Sequence, residues 1–184
     1  MSPNNGKEAD QMAELWDIYD RNRNLTGRTA ERGKPMADDD YHLVVHIWIR
    51  NSKNQWLLSK RTPNKTFPLK WEPTGGSVIA GEDSLTGALR ETEEELGVKL
   101  DPTAGTMFTT FRRDKPRWKC PGFVDVWVFP WDGDLSEVTC QEGETCDAMW
   151  ADNRTIWQLI YEGQFVMLDS FPYLHSLIDD EGGN

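Results

Sequence analysis

The sequence predicts an α/β fold in which a mixed β-sheet lies between helices. The first observation behind this prediction is the order of the elements, which runs from strand-like stretches to a long helix, then to further strands and two helical segments. Such a series fits helices packed against one sheet. The second observation is size, because 184 residues with 38% hydrophobic content suffice for one domain with a real core and not for two.

We predict a single domain over residues 13–179, between a flexible N-terminus at residues 1–12 and a flexible acidic tail at residues 180–184. A hairpin comes first in this domain, over about residues 14–33. Further strands are predicted near residues 42–50, 55–60, 106–112, 123–129 and 148–151. Helices are predicted over about residues 83–96, 154–161 and 173–178.

The first of these helices carries most of the chemical information. Its apolar stripe, at about 100° per residue, consists of Leu85, Leu89, Thr92 and Leu96. The neighbouring arc carries Glu91, Glu94 and Glu95. Like charges three or four residues apart destabilise an isolated helix by roughly 0.2 to 0.5 kcal/mol per pair, so these carboxylates need a compensating cation. Oxygen ligands in this number suit Mg²⁺ or Mn²⁺, and an acidic face open to solvent is the alternative from these residues alone.

Three further residues frame this helix. Asp83 is a suitable N-cap, and Gly97 stands where a helix commonly ends in a residue with positive φ. Gly76 stands where the loop backbone must come close to a metal or a phosphate. The sequence therefore predicts a binding loop followed directly by an acidic helix.

Residues 76–98 resemble the Nudix box. The pattern is Gly76, five residues, Glu82, seven residues, Arg90-Glu91, then Glu94-Glu95, one residue, and Gly97 before an apolar Val98. At roughly 6% usage for each residue type, seven fixed positions coincide by chance about once in 10⁸ to 10⁹ starts. The likeness covers about residues 14–165 and implies a Nudix-type α/β/α sandwich with a mixed β-sheet.

The resemblance also implies a role for each residue of the box. Glu91, Glu94 and Glu95 would ligate a divalent cation, Mg²⁺ with Mn²⁺ as a substitute, and Gly76 would add its carbonyl oxygen. Arg90 would orient the carboxylates through ion pairs. The implied reaction is hydrolysis of a diphosphate linkage by water attack at phosphorus. Its implied substrate is a nucleoside di- or triphosphate or a nucleoside diphosphate derivative.

The N-terminal half resembles the Nudix branch related to isopentenyl diphosphate isomerase, through residues 14–20, residues 26–28 and His42. An isomerase of this branch needs a Cys and a metal-binding His in the loop that precedes the box. Residues 71–77, WEPTGGS, contain neither. We therefore predict a hydrolase, with an isomerase and a non-catalytic nucleotide-binding module as alternatives. His42 and His46 are interpreted as structural residues.

Three acidic residues outside the box are further candidates. Residues 141–150 resemble a later acidic loop that in many Nudix enzymes supplies a metal ligand or the general base. This implies a catalytic role for Glu144, with Glu142 as the alternate and an exposed acidic loop as the other interpretation. Glu72, in the loop before the box, is a candidate substrate contact.

Basic residues are concentrated in one predicted connection between strands, which contains Arg112, Arg113, Lys115, Arg117 and Lys119. Such a connection can hold the phosphates of an anionic substrate, which makes Arg112, Arg113 and Lys115 candidate substrate contacts. A solvated hairpin tip is the alternative interpretation. A second basic stretch with the same two interpretations contains Lys60, Arg61, Lys65 and Lys70.

Composition bounds the partners and the compartment. A net charge of -11 argues against nonspecific binding to nucleic acid polymers or to anionic membranes. The chain contains no apolar run of about 18 residues and no signal-peptide pattern, so we expect a cytoplasmic protein. Its 3 cysteines lack CxxC spacing and are interpreted as reduced thiols. The predicted partner is a small-molecule diphosphate, and a monomer and a homodimer both stay open.

Overall fold

The computed structural model describes residues 13–114, 120–166 and 168–179. The strands in these ranges are β1 (Leu15–Tyr19), β2 (Leu25–Glu31), β3 (His42–Arg50), β4 (Trp56–Arg61), β5 (Trp71–Glu72), β6 (Thr74–Ser77), β7 (Thr106–Arg113), β8 (Gly122–Pro130) and β9 (Thr145–Ala151). The α-helices are α1 (Ser84–Leu96), α2 (Asn153–Tyr161) and α3 (Leu174–Asp179). Short 3₁₀ turns occupy Leu135–Glu137 and Leu168–Ser170.

A mixed β-sheet forms the centre of the molecule. Its main strand order is β5-β4-β3-β8-β7, with β6 paired to β3 and β9 paired to β4. Strand β3 runs parallel to β8 and antiparallel to both β4 and β6. The predicted mixed sheet is confirmed.

Helices cover both faces of this sheet, as β3 shows. Because side chains alternate along a strand, Val45 and Ile47 point to one face and Trp48 points to the other. Val45 and Ile47 pack in one apolar cluster with Leu96 of α1. Trp48 packs in the other cluster, which also holds residues of α2 and α3. The predicted α/β/α sandwich is therefore confirmed, and β3 is buried from both sides.

The N-terminal hairpin is a separate two-stranded sheet that lies against the main one. Strands β1 and β2 pair antiparallel, and Tyr19 forms a bridge to Tyr41 just before β3. The Trp16 ring stacks on the His42 ring with a centroid distance of 4.3 Å. Arg23 donates to both carboxylate oxygens of Asp125 on β8, at 2.8 and 2.5 Å. These contacts fix the hairpin on the sheet.

The predicted strands and helices are all present within the described residues. Strands β5 and β6 were not predicted, because they are 2 and 4 residues long and β6 contains two glycines. Their extended conformation depends on pairing with β4 and β3 and not on local propensity. The termini at residues 1–12 and 180–184 lie outside the described residues, so their flexibility and the domain limits stay predictions.

Cys120, Cys140 and Cys146 are free thiols, as predicted. Among the described residues, no helix is both long enough and apolar enough to cross a membrane.

Candidate active site

Helix α1 begins and ends where its sequence predicts. The side chain of Asp83 accepts a hydrogen bond from the backbone N–H of Thr86 at 2.8 Å, which caps the first turn. Gly97 ends the helix at φ 67°, a conformation that costs glycine little. Thr92 is fully buried, and its hydroxyl donates to the carbonyl oxygen of Ala88 at 2.9 Å. A polar residue is thus accommodated in the apolar stripe, and the stripe sets the rotation of the helix.

Arg90 links the carboxylates of this helix. Its Nε donates to both oxygens of Glu82, at 3.0 and 3.1 Å. Its Nη1 donates to Glu91 and to Glu94, at 2.9 Å each. Its Nη2 donates to the carbonyl oxygen of Ser77 at 3.0 Å, which ties the helix to β6. Arg90 therefore keeps two of the predicted metal ligands, Glu91 and Glu94, close to each other.

Gly76 lies directly against the carboxylate end of the Glu91 side chain. A Cβ atom at Gly76 would lie 2.2 Å from the Cδ atom of Glu91 and 2.4 Å from both of its carboxylate oxygens. Gly75 is more strictly restricted, because a Cβ there would lie 2.5 Å from a backbone atom, the carbonyl oxygen of Val45. The structure thus places a carboxylate beside Gly76, and the approach of this loop to a metal or a phosphate stays a prediction.

Three carboxylates in this region have pKa values above the ordinary range. Burial raises the pKa of Glu95 well above its usual value, and the charges of Glu91, Glu72 and Glu144 raise it further. Burial also raises the pKa of Glu91, against the opposing effect of Arg90. Glu72 behaves in the same way against the charge of Arg61. Such a concentration of buried acid is stabilised either by protons or by a cation.

The chemistry of these donors fits a hard divalent cation. Carboxylate and carbonyl oxygens are the ligands that Mg²⁺ and Mn²⁺ prefer. Among the described residues, no three His, Cys, Asp or Glu side chains already converge as a metal-binding group. Arg90 draws Glu91 and Glu94 toward itself, so these side chains would have to turn toward a bound ion. The residues therefore fit a divalent cation in the type of their ligand atoms and in their burial.

A cavity of about 300 Å³ opens beside these residues, and we call it the carboxylate pocket. Its acidic lining consists of Glu14, Glu91, Glu94, Glu95 and Glu144, and its basic lining of Arg32, Arg61, Lys65 and Arg90. Gly75, Gly76, Ser77 and Gln141 complete the wall. The structure thus brings together all of the predicted catalytic and metal-binding residues.

A second cavity of about 730 Å³ adjoins the first, and we call it the aromatic cavity. The two share Arg32, Arg61 and Gly75–Ser77. The aromatic and apolar lining of the second cavity includes Trp16, His42, Val44, Phe67, Val166 and Phe171. Glu72, His46 and Arg113 also line it. A ligand that spans both cavities would place a charged end among carboxylates and cations and its other end among rings.

His46 is held neutral inside the aromatic cavity. Arg113 lies 3.0 Å from its Nε2 atom, and because a guanidinium has only donors, Nε2 must accept. The proton therefore lies on Nδ1, which donates to the hydroxyl of Tyr173 at 2.7 Å. That hydroxyl also accepts from the indole of Trp48 at 3.0 Å. Burial lowers the pKa of His46 well below its usual value, in agreement with the neutral ring.

The basic connection is divided between two faces of β7. Arg113 points into the aromatic cavity, whereas Arg112 forms an ion pair with Asp114 at 2.9 Å and lies over the ring of Tyr41. Adjacent residues of a strand face opposite ways, which explains the division. Lys115 lies outside the described residues, as do residues 117 and 119.

The second basic stretch contributes two residues to the site. Arg61 forms an ion pair with Glu72, and Lys65 forms one with Glu144. Lys60 instead lies over the ring of Trp71, with its Nζ atom 5.2 Å from the ring centroid. The alternate acid in the later loop, Glu142, is exposed, whereas Glu144 lies in the carboxylate pocket.

Glu14 and Arg32 are the site residues that the sequence did not predict. Glu14 lies just before β1 and Arg32 lies just after β2, so the two are neighbours at the open end of the hairpin and far from the box in sequence. Residues 14–20 carry a resemblance to one branch of the family, and nothing in the sequence spacing of Glu14 and Arg32 indicates that these two residues reach the pocket.

Comparison with known proteins decides the family. The family model for the NUDIX domain matches residues 40–169. The chain belongs to the Nudix family. An uncharacterised Nudix hydrolase of Listeria monocytogenes is 35% identical over 155 residues, covering 83% of this chain and 88% of the relative. An isopentenyl-diphosphate Delta-isomerase of Shigella flexneri is 29% identical over 133 residues, covering 69% and 70%.

Solved structures show the same Nudix fold. DR0079 from Deinococcus radiodurans has a TM-score of 0.68 at 20% identity and covers 92% of this chain and 100% of its own. The NUDIX domain of NrtR from Shewanella oneidensis, solved with ADP ribose, has a TM-score of 0.54 at 16% identity and covers 64% and 77%. The family match and the Nudix hydrolase relatives identify this protein as a pyrophosphohydrolase, which is an enzyme that acts on phosphoanhydride bonds.

Proposed function

We propose that this Nudix enzyme hydrolyses a diphosphate linkage in a nucleoside di- or triphosphate or a nucleoside diphosphate derivative, with a divalent cation as cofactor. The carboxylate pocket is the observation that carries the proposal. Glu91, Glu94, Glu95 and Glu144 surround one opening beside Gly76. Acids gathered in one pocket are stabilised by a bound cation, and a diphosphate needs the same cation to neutralise its charge.

The box residues hold the cation in this proposal. Glu91, Glu94, Glu95 and the Gly76 carbonyl are its ligands, with Mg²⁺ as the ion and Mn²⁺ as a substitute. A divalent cation supplies Lewis acidity there, because it neutralises phosphate oxygens and lowers the pKa of water. Arg90 keeps Glu91 and Glu94 together on one side of α1 through its paired hydrogen bonds.

Glu144 is the proposed general base. A water molecule attacks phosphorus, the new P–O bond forms as the phosphoanhydride P–O bond breaks, and the displaced phosphate leaves with the electron pair. The water proton passes to the Glu144 carboxylate. Lys65 holds this carboxylate at the pocket through their ion pair. No covalent intermediate is required.

The aromatic cavity receives the organic part of the substrate in this proposal. The ring of Phe67, which lines the cavity and is 38% exposed, offers a flat surface on which a nucleobase can stack. The NrtR domain binds ADP ribose on the same fold, which supports a nucleotide-derived ligand. Glu72 and Arg113 line the cavity and are retained as substrate contacts. Arg112 faces the other side of β7 and is left out of the proposal.

Isomerisation of isopentenyl diphosphate is the second candidate, because the Shigella isomerase is a relative over most of the chain. The loop at residues 71–77 offers no thiol or imidazole for the proton transfers of that reaction.

A cytoplasmic location and a monomeric or homodimeric state stay predictions.

One panel of assays tests the proposed function. Purified protein is given nucleoside di- and triphosphates, nucleoside diphosphate sugars and isopentenyl diphosphate, with Mg²⁺, with Mn²⁺ or with excess chelator. We expect cation-dependent cleavage of a nucleotide and no allylic isomer. Full turnover in chelator would remove the metal from the mechanism, and isomer formation would favour the second candidate.

A further inference from the structure

We propose that Arg32, at the end of the N-terminal hairpin, binds a phosphate oxygen of the substrate, and that Glu14 positions it for this contact. The hairpin lies before residues 40–169, the range that the family model matches. The inference rests on the proposed function, because it assigns Arg32 to the same diphosphate. It means that the active site is incomplete without the hairpin.

The hairpin is fixed to the part of the chain that carries the box. The backbone N–H of Ala80 donates to the carbonyl oxygen of Leu15 at 2.7 Å. The backbone N–H of Gly81 donates to the carboxylate of Asp17, also at 2.7 Å. Both donors lie between β6 and α1, only a few residues after Gly76. The position of the hairpin relative to the carboxylate pocket is therefore set by direct bonds.

Glu14 holds the guanidinium of Arg32. Arg32 Nη1 donates to Oε2 of Glu14 at 2.7 Å, and the indole of Trp16 donates to Oε1 at 2.9 Å. A backbone hydrogen bond from Arg32 to Glu14, at 2.9 Å, joins the same two residues across the hairpin. Both carboxylate oxygens of Glu14 are thus used to orient neighbours. Glu14 is a positioning residue, and the ring of Trp16 that it holds forms a wall of the aromatic cavity.

Arg32 lies where the phosphate next to the organic group must lie. It lines both the carboxylate pocket and the aromatic cavity. Its side chain is 60% exposed, so a ligand can reach it. A guanidinium carries five N–H donors in a planar fork that matches the geometry of phosphate oxygens. An arginine at the shared boundary of the two cavities can therefore meet the diphosphate while the organic group occupies the aromatic cavity.

The pairing of charges favours Arg32 over Arg90 and Lys65. Arg90 is paired with Glu91 and Glu94, and Lys65 is paired with Glu144. The proposed mechanism gives each of these carboxylates a role. A phosphate bound by either cation would compete with those carboxylates. Arg32 is paired with Glu14, which has no role in the proposed chemistry. It can bind phosphate without releasing a catalytic acid.

The chain offers a matched control for Arg32. Arg28 lies on the same hairpin, forms an ion pair with Asp40 at 2.5 Å and has a side chain that is 57% exposed. Arg32→Gln and Arg28→Gln thus remove the same charge and one ion pair each from one hairpin. Arg32→Lys keeps the charge and loses the fork. Melting temperatures of all three variants report any loss of folding.

Binding is measured by calorimetry with α,β-methylene-ADP, a diphosphate probe that is not hydrolysed, in the presence of Mg²⁺. We expect Arg32→Gln to weaken binding of the probe by about tenfold to 100-fold, the loss typical of a charged hydrogen bond. Arg32→Lys should retain part of the wild-type affinity. Arg28→Gln should change the affinity by less than about twofold. With a substrate that the enzyme turns over, Arg32→Gln should raise KM by a similar factor and leave kcat within about threefold.

Equal Kd values for Arg32→Gln and Arg28→Gln would overturn the inference, as would a wild-type protein that does not bind the probe. Arg32-dependent binding by a protein that hydrolyses no phosphoanhydride would leave the inference standing and remove the proposed function. Cation-dependent hydrolysis with a KM that is unchanged by Arg32→Gln would leave the proposed function standing and remove the inference about Arg32.

Discussion

The carboxylate pocket and the aromatic cavity share a boundary but are built in different ways. Three of the five acids in the pocket come from one helix, α1, whereas Glu14 lies just before β1 and Glu144 lies just before β9. The aromatic cavity is assembled from the hairpin, β3, residues between positions 61 and 77, β7, and the C-terminal residues Val166, Ser170 and Phe171. The proposed metal ligands are therefore encoded in one short contiguous stretch, whereas the proposed general base and the recognition surface depend on segments that meet only in the folded chain.

The two regions also differ in how they manage charge. The pocket contains buried acids whose pKa values are raised, with cations bonded to several of them. In the cavity, burial lowers the pKa of both His42 and His46, so the rings are neutral and serve as walls. This difference leads us to expect that substitutions in the pocket reduce the rate and that substitutions in the cavity change the affinity for substrate.

The largest effect is expected from Glu95→Gln, which keeps the size of a buried side chain and removes a proposed metal ligand. We expect kcat to fall by about 10³ or more, since metal activation contributes several kcal/mol. Glu93→Gln is the matched control, because Glu93 is an exposed acid of the same helix that pairs with Lys99 at 3.1 Å. Equal activity of the two variants would mean that the acidic arc is only a solvated helix face.

A somewhat smaller effect is expected from Glu144→Gln. If this residue accepts the proton of the attacking water, kcat should fall by about 10² with little change in KM. Lys65→Gln, which removes only the ion pair that holds Glu144, should reduce kcat by less. The pH dependence of kcat gives a second readout, because a lost base removes the acidic limb of the profile. A silent Glu144→Gln variant would place the base inside the box.

Much of the pocket could be predicted from the sequence, because its information is local. Asp83 and Gly97 cap α1 as their residue types predict, and Gly76 lies against Glu91 in the segment that leads into this helix. The cavity could not be predicted in the same way. Alternation along β7 places Arg112 and Arg113 on opposite faces, but only the packing of Phe171 and Tyr173 decides which face is the cavity. Arg32 reaches the site through tertiary contacts alone.

In the cavity we expect an effect on affinity. Arg113→Gln should raise KM by about tenfold and leave kcat nearly unchanged, because it removes a donor that lines the cavity without touching the acids. Arg112→Gln should leave both constants unchanged, since the neighbouring arginine faces the other side of the strand. Melting temperatures of the two variants separate a loss of contact from a loss of folding. A fall in kcat at constant KM for Arg113→Gln would contradict the division of labour between the two regions.

The smallest effect is expected in stability, and its pH dependence follows from the sign of the pKa shifts. Glu95 has a folded-state pKa raised above the ordinary value of 4.5, so its ionised form destabilises the metal-free fold, and this cost grows as pH rises through the folded-state pKa. A bound cation removes the cost. Mg²⁺ should therefore raise the melting temperature more at about pH 8 than at about pH 5, where the ion must displace a proton.

Variants locate this stability effect in one region. Glu95→Gln removes the buried charge, so we expect a smaller increase in melting temperature with Mg²⁺ and little dependence of that increase on pH. Arg113→Gln, in the aromatic cavity, should retain the wild-type response in full. The measurement is a thermal unfolding series with and without Mg²⁺ at the two pH values. If Arg113→Gln lost the response as well, the two regions would be coupled through the fold, and the separation of charge chemistry from recognition would have to be abandoned.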